Sequence, residues 1–144
     1  MEKITLPRGL KAIIIVNIIA ATITLLFWIL ILFKVYIFPS ANLTMENSTK
    51  ASTFGYLVAD LILAVPILAA SISGLSKLKF SGWLLAQFAN LLWIYSLLSV
   101  WVRDLYAKEI TPGDIIFFPL IPFSLWSMQY LWNNKNKFIF TTNR

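Results

Sequence analysis

The stretch YLVADLILAVPILAASISG, residues 56–74, decides the fold class. Its aliphatic side chains run on without alternating with polar ones, so the stretch predicts a helix and not a strand. A helix of about 20 apolar residues is long enough to cross a bilayer. One carboxylate, Asp60, interrupts the run. A charged side chain within a membrane is costly and usually has a function, so the position of Asp60 is the main question that the sequence raises.

The composition of the chain is typical of a membrane protein. Of its 144 residues, 59% are hydrophobic and 12% are charged, and the mean hydropathy is +0.78. Soluble domains carry about 25% charged residues. The absence of cysteine and histidine removes disulfides, the commonest acid–base catalyst and the usual zinc, haem and iron–sulfur ligands. We therefore expect no metal site, no cofactor and no enzymatic activity.

Four apolar segments are long enough to cross a membrane as helices, and they cover residues 10–38, 54–76, 83–103 and 115–132. The first segment is longer than the apolar core of a cleaved signal peptide, which has about 7–15 residues, so we interpret it as a retained anchor. The prediction is an all-α integral membrane four-helix bundle. Residues 1–144 are expected to form a single domain.

The basic residues predict how the bundle is oriented. Eight of the twelve lie in the N-terminal segment, in the loop after the second span and in the tail: Lys3, Arg8, Lys11, Lys77, Lys79, Lys135, Lys137 and Arg144. Basic residues accumulate in cytoplasmic loops, so both termini are expected in the cytoplasm, with the protein in the plasma or cytoplasmic membrane. Because the basic residues are scattered singly, the net charge of +6 indicates anchoring to membrane lipids and not binding of nucleic acid.

The polar segments outside the predicted spans carry two further expectations. Residues 39–53 should face the outside, and their N-x-S/T sequences at Asn42 and Asn47 could accept glycans. An ordinary solvated loop is the alternative interpretation. The tail after the fourth span is expected to be a surface extension whose Phe138 lies on the lipid headgroups.

The two halves of the chain resemble each other. The matched pairs are Gly9 with Gly82, Asn17 with Asn90, Trp28 with Trp101, Asp60 with Asp114 and, after a slip of one residue, Pro66 with Pro119. Two parallel helical hairpins, related by an axis along the membrane normal, would produce this pattern, as in some transporter families. A chance match between two hydrophobic hairpins is the alternative.

The repeat suggests where Asp60 lies. Its counterpart Asp114 follows a turn and would cap a helix at the outer surface, so Asp60 is expected there too, in an outer-face charge cluster with Arg103 and Asp104. If the helix instead enters the membrane at Phe54, Asp60 lies about 9 Å deep and needs a partner such as Arg103 or a wet cavity. We expect the interfacial position, because a mid-membrane aspartate costs roughly 2.5–3.5 kcal/mol.

Polar side chains inside the predicted spans have two interpretations. Those of Asn17, Gln87 and Asn90 could line a polar cavity in the cytoplasmic half of the bundle. Alternatively, they bond across helix interfaces, for about 1 kcal/mol each. We expect the second, because ordinary membrane bundles contain such residues.

Aromatic side chains in the third and fourth spans are candidates for a ligand pocket. Trp93, Tyr95, Phe123 and Trp126 could line a pocket for a flat hydrophobic ligand. Aromatic packing within the bundle is the alternative.

These features predict a class of protein and no reaction. We expect a non-catalytic small polytopic membrane protein, either an accessory subunit of a larger membrane complex or a binder of lipid or another small hydrophobic ligand. Its partners would be membrane lipids and other membrane subunits or further copies of itself. The alternative is a small proton- or ion-coupled transporter that works as an oligomer through Asp60, because coupling needs a titratable group inside the membrane.

Overall fold

The computed structural model describes residues 5–37, 47–108, 110 and 112–139. Within these ranges the chain is almost entirely helical and forms no strand. The predicted all-α fold is confirmed.

The helices follow one another closely along the chain. They are α1 (Arg8–Ile37), α2 (Asn47–Ala59), α3 (Val65–Ser76), α4 (Phe80–Ala107), α5 (Pro112–Phe117), α6 (Leu120–Asn133) and α7 (Asn136–Ile139). A π turn, Asp60–Ala64, joins α2 to α3 without a break. Residues 47–76 therefore form one continuous helical segment.

Three helical segments are long and apolar enough to cross a membrane: Arg8–Ile37, Ala51–Ser76 and Phe80–Ala107. They coincide with the first three predicted spans. The fourth predicted span is divided between α5 and α6 by a turn at Phe118 and Pro119. Proline has no N–H to donate to a helix, which explains a break at this position. A count of four spans stays a prediction.

The helices pack side by side around two small cores. Helix α3 packs against α1 and, most extensively, against α4, and α4 packs against α6. The larger core joins side chains from α1, α3, α4, α6 and α7: Leu10, Ile13, Leu75, Trp83, Ala86, Leu131 and Phe138. The smaller core is formed by Ala20, Leu68 and Ala89.

The tail does not follow its prediction. Phe138 is 1% exposed and belongs to the larger core. The backbone turns after α6, with Asn134 N–H bonded to the carbonyl of Tyr130, and α7 folds back against α4. Because the tail folds back, the large apolar surface of the Phe138 ring is buried in the larger core. The tail therefore closes one end of the bundle.

A tight turn joins α3 to α4. Gly74 and Gly82 are buried on either side of it, and a Cβ atom on either glycine would overlap the backbone of the other. Leu78 has a left-handed φ of 53° in this turn, and Lys79 N–H bonds to the carbonyl of Gly74 at 2.9 Å. Small residues allow two helix backbones to approach this closely.

Buried positions recur between α1 and α4. The residue numbers of matched buried positions differ by 73, the same offset that matches Gly9 with Gly82; the pairs are Leu10 with Trp83, Ile13 with Ala86, Asn17 with Asn90 and Thr24 with Leu97. A repeat of one hairpin predicts this recurrence, because equivalent helices turn equivalent faces inward.

The recurrence extends to α3 and α6 with a different offset. Leu68, Ser71 and Leu75 match the buried positions 124, 127 and 131, which are 56 residues later. Asp60 and Asp114 are 54 residues apart, so the second half has two additional residues in this interval, where the turn between α5 and α6 lies. The sequence match of Pro66 with Pro119 needs a slip in the opposite direction. The repeat itself stays a prediction.

Candidate functional site

The carboxylate of Asp60 is held by an indole. Trp28 Nε1 donates a hydrogen bond of 2.7 Å to Asp60 Oδ2, which joins α1 to the first residue of the π turn. The ring of Trp28 is 5% exposed and the carboxylate is half-buried. A neutral donor stabilises the carboxylate without cancelling its charge.

Asp60 also forms part of the wall of a small cavity between the π turn, α3 and α4. The other lining residues are Ala64, Leu68, Ala89, Leu92, Trp93 and Ser96. Its volume is about 10 Å³, which is space for about one water molecule. Ser96 supplies a hydroxyl and Asp60 a carboxylate, so the cavity has polar partners for such a water.

The partner of Asp60 differs from the one that the sequence suggested. The interfacial interpretation placed Asp60 at the outer boundary, beside Arg103 or near Asp114, and the boundary position stays a prediction. Residue 60 lies within a continuous helical segment that begins at Asn47, so the free N–H groups of a helix start are not available to it. Arg103 Nε bonds to Asp104 Oδ1 at 2.6 Å, and Trp28 is the observed partner of Asp60.

The remaining members of the predicted charge cluster do lie together near the end of α4. The side chain of Asp104 is 6% exposed and that of Arg103 is 41% exposed. The charge of Asp114 acts on Arg103 as well. Helix α5 begins at Pro112, two residues before Asp114. Asp114 therefore lies in the first turn of α5 and not at the cap position that was expected for it. Within the described residues, no group of three or more acids is arranged to hold a metal ion.

Between α4 and α5 lies a groove, which we call the outer groove. It is lined by Trp101, Asp104, Leu105, Ile110, Asp114, Ile115 and Phe118. Its volume is about 500 Å³. The rings of Trp101 and Phe118 stack with centroids 5.0 Å apart and planes inclined by 14°. The groove thus combines an aromatic wall, aliphatic side chains and two carboxylates.

The polar candidates of the sequence bond across helix interfaces. Asn17 Nδ2 donates to Ser71 Oγ at 3.3 Å, and Asn90 Nδ2 donates to Ser127 Oγ at 3.0 Å. Gln87 Nε2 donates to the carbonyl of Met128 at 3.3 Å. The first two bonds are equivalent under the offsets of 73 and 56 found in the buried positions. These contacts match the helix-joining interpretation, and the three side chains do not share one partner.

The aromatic candidates face different surroundings. Trp93 lines the cavity beside Asp60 and lies 5.7 Å from the ring of Phe117. Tyr95 is 68% exposed. Phe123 and Trp126 pack on each other along α6, with centroids 5.4 Å apart. The aromatic wall of the outer groove is instead formed by Trp101 and Phe118, which the sequence reasoning did not select as a pocket.

Two partners in these sites were missed from the sequence. Trp28 entered the sequence analysis only as the match of Trp101, and Ser71 was not selected as a candidate. The alignment of the two halves contained a signal for Trp28 and none for Ser71, since it places an asparagine, a tryptophan and an aspartate at matching positions of each hairpin. It did not indicate which of these side chains touch.

No protein-family model, curated protein or solved structure significantly matches this chain.

Proposed function

We propose that this chain is a non-catalytic polytopic membrane protein that binds a lipid or another small hydrophobic molecule in the outer groove. The groove is the observation that carries the proposal. Binding sites for small molecules have volumes of about 300–1,000 Å³ and are mostly apolar, with a few polar groups. The outer groove, at about 500 Å³ with Asp104 and Asp114 among apolar side chains, has this character.

Membrane insertion is supported by the outer surface of the long helices. Large apolar side chains are exposed along α1, the π turn and α4; examples are Ile15, Leu30, Ile62 and Leu91, which are 55%, 67%, 66% and 54% exposed. Contiguous apolar surface of this kind is costly in water. Lipid tails are as apolar as leucine and cover it without that cost.

The distribution of basic residues supports the orientation. With both termini in the cytoplasm, the end of α4 and the outer groove face the outside of the plasma or cytoplasmic membrane. The apolar groove residues Leu105, Ile110 and Ile115 then lie on that side of the membrane, where a hydrophobic molecule can enter from the bilayer surface.

The proposal is tested by blocking the groove. Leu105 lines the groove and is 76% exposed, so Leu105→Trp fills the groove with little strain on the bundle. Leu98 is 49% exposed on the same helix and is not a lining residue, so Leu98→Trp is the matched control. The probe is radiolabelled decanol, and its binding to the purified protein in dodecyl maltoside micelles is measured by equilibrium dialysis against empty micelles.

We expect decanol to bind the wild-type chain and Leu98→Trp equally and to bind Leu105→Trp at least about 10-fold more weakly. Binding that is unchanged in Leu105→Trp would contradict the groove as the site. The sequence analysis also gave an accessory subunit of a larger membrane complex as an expected role. In that case the chain should be purified in mild detergent as part of a stable complex.

A second candidate function is favoured by the surroundings of Asp60. A small proton- or ion-coupled transporter that works as an oligomer needs a titratable group inside the membrane. Asp60 lies in the apolar segment Ala51–Ser76, at a π turn and beside a cavity of one-water size. Single π turns within α-helices occur frequently at functional sites. Proton uptake by vesicles that contain the protein, lost in Asp60→Asn and retained in the matched variant Asp104→Asn, would favour this candidate over the first.

A further inference from the structure

We propose that the site at Asp60 binds a proton and not a metal ion, and that the proton is held on Asp60 Oδ1. This inference rests on the second candidate function and deepens it, because it names the ion that a transporter working through Asp60 would carry. Four features of the site lead to this assignment: the bond from Trp28, the small cavity, the position of the nearest charges and a buried hydroxyl group.

The first feature is the bond from Trp28, which leaves one carboxylate oxygen for the proton. Trp28 Nε1 donates to Asp60 Oδ2 at 2.7 Å. Oδ2 can accept this bond both in the carboxylate and as the carbonyl oxygen of a carboxylic acid, since it keeps lone pairs in both forms. A proton on Oδ1 therefore gives the site a new donor without breaking the contact between α1 and the π turn.

The second feature is the small cavity beside Asp60, whose size and lining favour a proton over a metal ion. Its volume of about 10 Å³ is space for about one water molecule. Among its lining residues, only Asp60 and Ser96 have side-chain oxygens. Hard metal cations such as Mg²⁺ and Ca²⁺ take six or more oxygen ligands. A proton needs one acceptor, and the hydroxyl of Ser96, directly or through a water, can then accept the bond from Oδ1.

The third feature is the position of the nearest charges. Helix α1 has no ionisable residue between Lys11 and Lys34, and α3 has none before Lys77. On the segment of Asp60 itself, Tyr56 lies one turn earlier and interacts with Arg103. The helices on either side of Asp60 therefore bring no cation to its level.

Helix α4 carries its charges farther along. Arg103 follows Ser96 by seven residues, which is about 10 Å along a helix. Arg103 bonds to Asp104 and also interacts with Asp114, and Tyr95 is 68% exposed. Because the bonded partner of Asp60 is neutral, uptake of a proton is the change that removes its charge from the apolar segment.

The fourth feature is a buried hydroxyl group at the level of the cavity. Contacts of α1 with the π turn and α3 advance in equal steps along both helices; the pairs are Asn17 with Ser71, Ala20 with Leu68 and Trp28 with Asp60. In this register Thr24 lies at the level of Ala64, which lines the cavity. Thr24 Oγ1 is buried without a hydrogen-bond partner. Buried polar groups of this kind usually bond to water, so we expect water at this level, where it can bring a proton to Asp60.

The test observes the proton on the full chain in lipid vesicles. Infrared difference spectra record the carbonyl stretch of protonated carboxyl groups while the pH is changed over the range in which the fold is retained. We expect a band that appears reversibly at lower pH and is lost in Asp60→Asn. The band should be unchanged when sodium or potassium chloride replaces choline chloride at constant pH and ionic strength.

A second variant assigns the band independently of Asp60→Asn. The indole N–H of Trp28 stabilises the carboxylate more than the neutral acid, because hydrogen bonds to ionised groups are roughly twice as strong. Trp28→Phe should therefore move the midpoint of the band to higher pH, with a proton affinity about 5- to 10-fold greater. Trp101→Phe is the matched control. Trp101 corresponds to Trp28 in the second hairpin but stacks on Phe118, so its replacement should leave the midpoint unchanged.

The outcomes separate this inference from the function on which it rests. If no band responds to Asp60→Asn or Trp28→Phe, the proton site is refuted. If sodium or potassium removes the band at constant pH, a metal ion displaces the proton, so the ion is wrong and the transporter that works through Asp60 stands. If the band is assigned to Asp60 but the vesicles take up no protons, the proton site stands and the second candidate function fails.

Discussion

The indole N–H of Trp28 bonds to the carboxylate of Asp60 across the interface between α1 and the π turn, at 2.7 Å. The bond gives a half-buried carboxylate a partner that brings no charge of its own. In surroundings of low polarity such a bond is stronger than in water, and an unpaired polar group is correspondingly more costly. The pair therefore both positions Asp60 beside the small cavity and holds α1 against the rest of the bundle.

A double-mutant cycle measures this pair. Asp60→Leu removes the acceptor and leaves the buried N–H of Trp28 without a partner, which costs about 1–3 kcal/mol. In the background of Trp28→Phe, which has no such donor, the same change should cost less. We expect a coupling energy of about 0.6–1.7 kcal/mol, which extends from the average to the largest value measured for hydrogen bonds between membrane helices.

The measurement is unfolding of the purified variants in micelles, with Asp60→Asn as the conservative control. Asparagine retains an acceptor oxygen for Trp28, so this variant should fold nearly as well as the wild type. Additive effects of Asp60→Leu and Trp28→Phe would show that the bond contributes nothing to stability.

The two asparagine–serine bonds should contribute equally. Asn17 and Asn90 are both buried and each donates to a serine on the neighbouring helix. We expect Asn17→Ala and Asn90→Ala each to lower the free energy of unfolding by about 1 kcal/mol. Thr22→Ala is the control, because Thr22 is exposed and bonds to the carbonyl of Ile18 within its own helix. A cost confined to one asparagine would argue against two equivalent hairpins.

The glycines predict a graded series of alanine substitutions. Gly82→Ala should destabilise the chain most, because its Cβ meets the backbone of Gly74, which cannot rotate away. Gly9→Ala meets the ring of Tyr130 at 2.5 Å, and a side chain can move, so the cost should be smaller. Gly55→Ala meets nothing within 4 Å and should stabilise its helix by up to about 1 kcal/mol. Thermal unfolding of the three variants gives the order, and equal effects would contradict the close approach of α3 and α4.

Single cysteines test the orientation, because the natural chain contains none. Asn47→Cys should react with a membrane-impermeant maleimide added to intact cells. Asn136→Cys should react only after the membrane is opened. Ile23→Cys, at an exposed apolar position in the middle of α1, should be labelled poorly in both conditions. Labelling of residue 136 and protection of residue 47 in intact cells would reverse the predicted topology.

The helices were predictable where local properties determine them. The first span was expected at 10–38 and α1 extends over Arg8–Ile37, and the third was expected at 83–103 and α4 extends over Phe80–Ala107. Long uninterrupted apolar runs are sufficient for these assignments. The start of the second helix was placed at Phe54, although α2 begins at Asn47, because Ser, Thr and Asn are as common in loops as in helix ends.

The candidate site was predictable only in part. Arg103, Asp104 and Asp114 were expected near one another and do interact, since all three are close along the chain. Asp60 was expected beside Arg103 or near Asp114, on the grounds of charge and of the repeat, whereas α1 presents Trp28 to it. The outer groove was not anticipated, because the stacking of Trp101 on Phe118 depends on where the turn between α5 and α6 falls.

By itself, the sequence determined the helical class, the three long apolar segments and the residues from which polar contacts could be made. These are properties of composition and spacing, which are present before the chain folds. Only the tertiary structure decided that Trp28 meets Asp60, that Phe138 returns to the core and that a groove opens at the end of α4. Each of these depends on the rotation and register of one helix against another. Many weak packing contacts set that register together, and no single residue encodes it.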